Sequence, residues 1–403
     1  MDLKSGYPFW AVRNGLMQAF PPLQADLRCE VLVLGGGITG ALIADHLAAH
    51  GHDVAVVEQR DIGWGSTAAS TALLQYEIDT PLGELARLYG LEAALLAYRA
   101  CDQAIDTLAA LAGKLHGVDF ENAGSLYYAS RRSDLGPLIE EFELRQRHGF
   151  AVDWYDAAGV QAHYGIAAPG AILSHQAARM DPYRMTYRLL ARLLAQGGQV
   201  FDRTTISHLT AGPRKVIART SDGVHIHCQQ LVVAAGYASQ HWLRQRVARN
   251  RSSYAFVTDP LPPEALGAAR DTLLWETARP YLYLRSTADQ RLLVGGEDDA
   301  VDIPARRDAL VDRKARRLAT KAAKLLGGRA LQPTFAWAGT FAETADGLPF
   351  FGTHRQWGPR VQFAMAYGGN GITYSMIGAS LLCAAIERRR HPLAELFGFQ
   401  RLG

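Results

Sequence analysis

The chain has 403 residues, 48% of them hydrophobic and 20% charged, and a formal net charge of +3 at pH 7. This length allows two domains, the composition is globular, and so small a charge gives no reason to expect a nucleic-acid partner. The four cysteines are far apart and form no CxxC pair. We therefore expect no metal site and a reducing compartment, the cytoplasm. We find no signal peptide and no run of about 18 apolar residues, so no transmembrane helix is expected.

Residues 1–26 combine aromatic residues with prolines, which predicts an extended arm packed on the surface. In the favoured interpretation the arm covers apolar area of its own chain. In the alternative interpretation it contacts a partner subunit.

Residues 30–58 have the pattern of a dinucleotide-binding βαβ unit. The aliphatic run 31–34 predicts a buried parallel strand, residues 41–50 predict a helix, and residues 54–57 predict a second strand. Glu58 falls at the end of the second strand, where an acid can bond ribose hydroxyls.

Three glycines with GxGxxG spacing separate the first strand from the helix. Gly35 permits the tight turn, Gly37 lets the backbone approach a pyrophosphate, and Gly40 lets the helix pack on the strand. The helix N-terminus offers unpaired N–H groups and a positive dipole end to the phosphates. By itself this unit predicts a bound NAD or FAD.

Small and hydroxyl residues are dense in the segment 59–72, directly after the second strand. Its four hydroxyl side chains can cap a helix and donate to a phosphate or a flavin edge: Ser66, Thr67, Ser70 and Thr71. The alternative is an ordinary turn followed by a helix N-cap.

The middle of the chain alternates between predicted helices and strands. Helical periodicity is clear in 91–111 and in 182–198, where Asp181 is the expected N-cap and Pro182 the first helical residue. Apolar runs at hairpin-like spacing then predict strands of an antiparallel sheet: 254–258, 273–276, 281–285 and 292–295.

A basic helix is predicted over residues 305–327. The default interpretation of its many lysines and arginines is a solvated face. The alternative is contact with an anionic membrane surface or a partner protein.

Glycines return near the C-terminus. Residues 361–365 predict a strand and 374–388 a helix, and between them Gly368, Gly369 and Gly371 lie within four positions. A structural turn needs one or two glycines, so this density indicates a close approach of the backbone to a ligand.

Six motifs, in this order along the chain, together resemble the D-amino-acid oxidase-type flavoprotein superfamily, which includes glycine oxidase, sarcosine oxidase and gamma-glutamylputrescine oxidase. They are residues 33–40, Glu58 with 63–67, Asp181-Pro182, 232–236, 346–352 and 367–373. The stretches 62–65, 283–285 and 291–296 are most similar to the gamma-glutamylputrescine oxidase branch.

The resemblance implies an α/β chain, α+β overall. It has a Rossmann-type FAD-binding domain with a mostly parallel sheet and a substrate domain built on an antiparallel sheet with flanking helices. We assign the FAD-binding domain to residues 1–85, 150–240 and 331–403. The substrate or cap domain takes residues 86–149 and 241–330.

The resemblance also implies FAD rather than NAD as cofactor. Ile206 would meet the adenine, Gly236 would close over the dinucleotide, and the last glycine turn would lie under the flavin pyrimidine ring. The residues that we assign to FAD are Gly35, Gly37, Ile38, Thr39, Gly40, Glu58, Gln59, Arg60, Gly65, Ser66, Thr67, Ser70, Thr71, Ile206, Ala235, Gly236, Gly369, Asn370, Gly371, Ile372 and Thr373.

Sarcosine oxidase-like members attach the flavin through a cysteine, whose place here falls near Gly339. None of the four cysteines fits that place, so non-covalent FAD is expected, with a histidyl link elsewhere as the open alternative.

The implied reaction oxidises a small amine or amino acid at the carbon beside nitrogen, with hydride transfer to flavin N5 and hydrolysis of the resulting imine. The substrate-orienting candidates are Tyr283, Arg285 and Tyr254. Arg285 would bind a substrate carboxylate, and its alternative is a structural salt bridge. The acidic residues 297–299 would attract a cationic polyamine, and their alternative is a solvated loop.

The electron acceptor is left open. It is oxygen in an oxidase, or a quinone or partner protein in a dehydrogenase with peripheral membrane contact, an option favoured by the basic helix and by Arg388 to Arg390. A non-catalytic flavin-binding subunit is the third hypothesis.

Overall fold

The structure, a computed structural model, describes residues 2–300 and 303–402. Its α-helices are α1 (Phe9–Asn14), α2 (Ile38–Ala49), α3 (Ser66–Ala69), α4 (Leu82–Tyr89), α5 (Leu91–Ala112), α6 (Leu135–Arg147), α7 (Ala157–Tyr164), α8 (Pro182–Ala195), α9 (Pro263–Leu266), α10 (Pro304–Ala309), α11 (Val311–Leu325) and α12 (Gly371–Ile386). Its strands are β1 (Leu27–Leu34), β2 (Val54–Val57), β3 (Leu73–Gln75), β4 (Glu121–Tyr128), β5 (Val152–Asp156), β6 (Gly170–Arg179), β7 (Gln199–Phe201), β8 (Ile206–Ala211), β9 (Val216–Thr220), β10 (His225–Val233), β11 (Arg249–Val257), β12 (Thr272–Glu276), β13 (Leu282–Ser286), β14 (Leu292–Asp299), β15 (Phe335–Glu343), β16 (Phe350–Thr353) and β17 (Val361–Met365).

The first sheet has the strand order β16-β17-β10-β1-β2-β7 and is parallel from β17 to β7. Val31 and Val33 on β1 pack in the core that includes α2 and α8, while Leu32 and Leu34 pack in a second core on the opposite side. Because both faces are covered, β1 is an apolar run rather than an alternating one. The predicted βαβ unit is confirmed.

The second sheet has the order β15-β11-β14-β13-β12-β4-β6-β3, with β5 beside β6. All of its pairs are antiparallel except β12 with β4. The four strands predicted at hairpin-like spacing are β11 to β14. The predicted fold class, a Rossmann-type sheet with a second sheet and flanking helices, is confirmed.

Sheet membership does not follow the predicted domain ranges. The strands β3, β5, β6 and β15 belong to the second sheet, although they fall in segments that we assigned to the FAD-binding domain. Strand pairing between distant segments decides this membership, and no local pattern reveals it.

The basic segment forms α10 and α11, and its buried face carries two of its cations. Arg307 is 1% exposed and its Nη1 donates to the Asp2 carbonyl, and the Lys314 side chain is buried near Glu297. A wholly solvated face is therefore wrong for these two residues, while Arg313 and Arg316 are exposed. Within the described ranges, no helix has the length and apolar character that crossing a membrane requires.

The N-terminal arm is not extended throughout. Its residues Phe9–Asn14 form the short helix α1, whose Phe9 and Trp10 lie in the main core. Trp10 is 1% exposed, and its Nε1 donates to the Ser70 carbonyl at 2.7 Å. Burial of large aromatic rings explains why this segment folds inward.

We expect Trp10→Ala to lower the free energy of unfolding by about 3–5 kcal/mol, because it removes a large buried side chain. Val12→Ala is the matched control: it lies on the same helix, is 53% exposed, and should change stability by less than about 0.5 kcal/mol. Urea unfolding followed by tryptophan fluorescence measures both. Equal, small effects of the two variants would show that α1 is not part of the core.

Candidate cofactor-binding and active site

A cavity of about 1000 Å³ extends from the carboxyl ends of the parallel strands to the second sheet. The loops after β1, β2 and β10 line its first end through Gly35, Glu58 and Gly236. In open α/β sheets ligands bind at this edge, where the strands end. At its other end the cavity is lined by residues of β11, β13 and β14.

The glycine loop leaves no room for side chains. Gly35 has φ +123°, and a Cβ there would lie 2.3 Å from the Ala234 carbonyl oxygen. A Cβ on Gly40 would lie 1.9 Å from the Gly35 carbonyl oxygen. These contacts fix the approach of α2 to β1, as predicted from the motif.

The acid at the end of β2 is bound to the same loop. Glu58 Oε2 accepts the Gly36 N–H at 2.8 Å, and Oε1 accepts the Arg60 N–H at 3.0 Å. Burial raises the pKa of the Glu58 carboxyl, and the two N–H donors oppose that rise. Glu58 is thus held at the cavity wall beside the glycine loop.

Several polar groups at this end are available to an anionic ligand. Thr67 Oγ1 accepts the Ile38 N–H at 2.9 Å, while the other N–H groups of the first turn of α2 have no acceptor within the helix. Arg60 Nε and Ser66 Oγ are buried and have no hydrogen-bond partner among residues 2–300 and 303–402. The loop, the helix terminus and these atoms fit the phosphates of a dinucleotide.

The second glycine turn lies at the other end of the cavity, where α12 begins. It is anchored to the segment after β3: Gly369 N–H donates to Asp79 Oδ2 at 2.8 Å, and Asn370 Nδ2 donates to the Glu77 carbonyl at 2.6 Å. Gly371 and Ile372 line the cavity at the helix N-terminus, where N–H groups and the dipole favour negative charge.

Every residue predicted to bind FAD lines the cavity except Gly40 and Thr373. Gly40 packs under the loop, as described above. Thr373 is buried, and its hydroxyl donates to the Gln75 carbonyl at 3.3 Å.

The segment between α3 and β3 is held by three side chains from distant elements. Trp337 Nε1 donates to the Ala69 carbonyl at 2.9 Å, Trp10 Nε1 to that of Ser70, and Arg285 Nε to that of Thr71 at 2.7 Å. Because three successive carbonyls are bound, this stretch of the cavity wall is fixed between the two sheets.

Arg285 is therefore not available to a substrate. Besides the Thr71 carbonyl it donates to the carbonyl of Met180 at 2.9 Å, its guanidinium lies 5.4 Å from the centre of the Trp10 ring, and it is buried outside the cavity lining. Burial lowers its pKa to about 9. The carboxylate-binding hypothesis is wrong for Arg285, since its guanidinium already binds backbone carbonyls instead.

The two predicted tyrosines lie on opposite faces of the second sheet. In the strand register Tyr283 pairs with Gly295 on β14, and Gly295 pairs with Ala255 on β11, so these three positions share one face of the sheet. Tyr254 is adjacent to Ala255 and therefore projects to the other face. Its hydroxyl donates to Asp299 Oδ2 at 3.1 Å, and Lys314 Nζ lies 5.0 Å from the centre of its ring. Tyr254 is thus among the residues that line the cavity, but its ring and hydroxyl contact groups on the other face of the sheet.

Tyr283 does line the cavity. Its hydroxyl lies 3.4 Å from Ser253 Oγ, and burial raises its pKa to about 12. Beside it lies Trp275, whose ring stacks on Tyr127 with centroids 3.7 Å apart.

Sequence reasoning missed several polar and aromatic residues of the cavity: Asp79, Tyr237, Arg251, Trp275, Arg279 and Glu343. None belongs to a recognised motif. Alternation along β11 was the available signal for Arg251, because it shares the face of Ser253.

A match over most of the chain decides the family. A model described as FAD dependent oxidoreductase matches residues 30–385. The chain belongs to this family. FAD is accordingly its cofactor, as predicted, and the cavity described above fits it.

Relatives of this FAD-dependent oxidoreductase are distant but nearly full-length. Gamma-glutamylputrescine oxidoreductase from Escherichia coli (strain K12) is 23% identical over 387 residues, covering 94% of this chain and 88% of the relative. Glycine oxidase from Bacillus licheniformis is 25% identical over 357 residues, covering 86% and 89%.

Solved structures share the fold. Glycine oxidase from Geobacillus kaustophilus superposes with a TM-score of 0.76 at 19% identity, covering 93% of this chain and 99% of that one. L-proline dehydrogenase from P. horikoshii gives the same TM-score and coverage at 17% identity.

We expect Glu58→Ala to weaken FAD binding by about 10- to 100-fold, because hydrogen bonds to a charged group contribute about 1.5–3 kcal/mol. Glu30→Ala, on the same sheet but outside the cavity lining, is the matched control and should not change affinity. Fluorescence titration of the apoprotein with FAD measures both. An unchanged dissociation constant for Glu58→Ala would remove Glu58 from the FAD site.

Acid precipitation should leave all of the flavin in the supernatant. The four cysteines are buried and none lines the cavity, and Gly339, which does, has no side chain to form a bond. A yellow pellet would contradict non-covalent binding. If His241→Ala then abolished the colour, the link would belong to that histidine, which also lines the cavity.

Proposed function

We propose that this FAD-dependent oxidoreductase oxidises the C–N bond of a small amine or amino acid to an imine, which water hydrolyses. Its relatives glycine oxidase and gamma-glutamylputrescine oxidoreductase support this substrate class. The observation that carries the proposal is the continuity of the cavity: the chamber walled by Tyr283 and Trp275 is continuous with the glycine turn at the start of α12.

In this proposal FAD supplies the two-electron acceptor, its N5 atom. The protein contributes position and environment. Tyr283, Trp275 and Tyr237 provide aromatic walls that hold the substrate C–H bond in place and exclude water. The N–H groups of Gly371 and Ile372, with the dipole of α12, favour negative charge on the cofactor.

Anaerobic mixing of the purified yellow protein with candidate substrates tests the proposal. Sarcosine, glycine, proline, D-amino acids and polyamine derivatives form the screen, and loss of the 450 nm flavin band, read in roughly ten minutes, reports reduction. Bleaching by an amine or amino acid is expected. A screen in which dithionite bleaches the protein and no amine does would support the non-catalytic subunit instead.

The second candidate is a dehydrogenase that passes electrons to a quinone or a partner protein. The exposed cations on α11, among them Arg313 and Arg316, favour it. Hydrogen peroxide formed per substrate consumed in air separates the candidates. One peroxide per substrate supports an oxidase, whereas little peroxide and rapid reduction of a soluble quinone support a dehydrogenase.

Tyr283→Phe should lower kcat/KM by roughly five- to tenfold, because the change removes a hydroxyl and with it one hydrogen bond in the chamber. Tyr254→Phe removes the same atom from the opposite face of the sheet and should leave kcat/KM unchanged while lowering thermal stability, because its hydroxyl bonds Asp299. Steady-state kinetics with the compound that bleaches fastest measures both. Equal losses would contradict the assignment of the two faces.

A further inference from the structure

The acidic end of β14 is a strand with a bulge rather than a solvated loop. Tyr254 on β11 pairs with Gly296 on β14, but Ser252 pairs with Asp299. An advance of two residues along β11 is therefore matched by an advance of three residues along β14. Glu297, at the irregularity, has φ +55°. A bulge changes the face to which the following side chains point, and it separates the three acids of this segment.

Two of the three acids face α11 and are neutralised there. Lys314 Nζ lies 3.5 Å from Glu297 Oε2 and 3.4 Å from Asp299 Oδ2. Arg317 adds a further contact to Glu297 at 3.4 Å. This cationic helix therefore has an internal function, to compensate the acids on the outer face of the sheet.

Asp298 lies between them and lines the cavity. Its Oδ1 atom is buried and has no hydrogen-bond partner in the part of the chain that the structure describes. Burial, reinforced by the negative charges of Asp79 and Glu343, raises its pKa to about 6, while a hydrogen bond from the Ser253 side chain to the carboxyl opposes that rise. A buried carboxylate oxygen without a partner is costly, which indicates that a ligand supplies the partner.

Two arginines of the cavity lining, Arg251 and Arg279, form no ion pair with Asp298. Arg251 forms an ion pair with Glu343. Arg279 is exposed, stacks on Tyr281 with its guanidinium 3.4 Å from the ring centre, and donates to the backbone carbonyl of Asp79. Among residues 2–300 and 303–402, neither Asp79 nor Asp298 has an ion-pair partner within 4 Å.

The chamber thus combines aromatic walls with two carboxylates that form no ion pair within the described ranges, although the positive charge of Arg279 opposes the rise that burial causes in the pKa of both. Tyr237, Trp275 and Tyr283 line it together with Asp79 and Asp298. Aromatic faces and carboxylates both attract cations. A substrate carboxylate would require a free guanidinium group. Arg285 does not provide one, because its guanidinium binds the carbonyls of Thr71 and Met180.

We propose that Asp298, assisted by Asp79, binds a protonated amino group of the substrate, so that the preferred substrates are amines with a second, cationic nitrogen. This inference rests on the proposed function, since it names the substrate class of the same chamber. The nitrogen that is oxidised must be neutral to release its lone pair, and the second nitrogen keeps the charge that Asp298 binds.

Three probes of one shape test the charge preference on the FAD-loaded protein. The tert-butylammonium cation has no hydrogen on the carbon beside nitrogen and cannot be oxidised, while pivalate is its anionic and tert-butanol its neutral counterpart. Isothermal titration calorimetry should detect binding of the cation and at least tenfold weaker binding of the other two. Binding of pivalate in preference to the cation would overturn the proposal.

Asp298→Asn should weaken tert-butylammonium binding at least tenfold without loss of FAD. Asp259→Asn is the matched control, because Asp259 lies beyond the end of β11, outside the cavity lining, with its side chain 74% exposed, and this variant should bind as the wild type does. Equal affinities for the two variants would overturn the assignment to Asp298. If Asp298→Asn does not fold, the comparison of the three probes on the wild type still decides the charge preference.

Failure of this inference is distinct from failure of the proposed function. If an amino acid bleaches the flavin while the cation does not bind, the function stands and the cationic substrate class is wrong. If the cation binds and no amine bleaches the flavin, the chamber is a cation site without the proposed oxidation.

Discussion

The contact between Gly40 and the Gly35 carbonyl is the constraint on which the cofactor site depends. Only a glycine at residue 40 lets α2 approach β1 closely, since a Cβ would lie 1.9 Å from that oxygen. This approach sets the helix N-terminus at the carboxyl edge of the parallel sheet, where Thr67 and Glu58 bind backbone N–H groups of the same loop. The phosphate end of the cavity follows from these few contacts.

The cavity wall between α3 and β3 depends on a different kind of constraint, the fixing of the Ala69–Thr71 carbonyls between two sheets. Tryptophans from α1 and β15 and an arginine from β13 each bind one carbonyl. This explains why a fully buried arginine lies outside the cavity: its guanidinium stabilises the wall. The outer face of the same sheet uses α11 in a comparable way, since its lysines and arginines compensate buried acids.

Local steric requirements could be predicted from the sequence. The face of the sheet to which a given side chain points could not. The GxGxxG unit and the capping of α8 by Asp181, whose side chain accepts the N–H groups of Tyr183 and Arg184, follow from a few adjacent residues. Tyr254 and Asp298 depend on strand register and on a bulge, which pairing with distant strands decides. Pairing between distant strands likewise places β6 in the second sheet, although its residues fall in a range that we assigned to the FAD-binding domain.

The two glycine turns precede α2 and α12, so they are far apart in sequence although both line one cavity. A ribosome makes the dinucleotide loop first, and the β17 strand that precedes the second turn must later insert beside β10. The two ends of the cavity are therefore made at different times during synthesis. The complete pocket requires both turns, so it can enclose a cofactor only after α12 has been made.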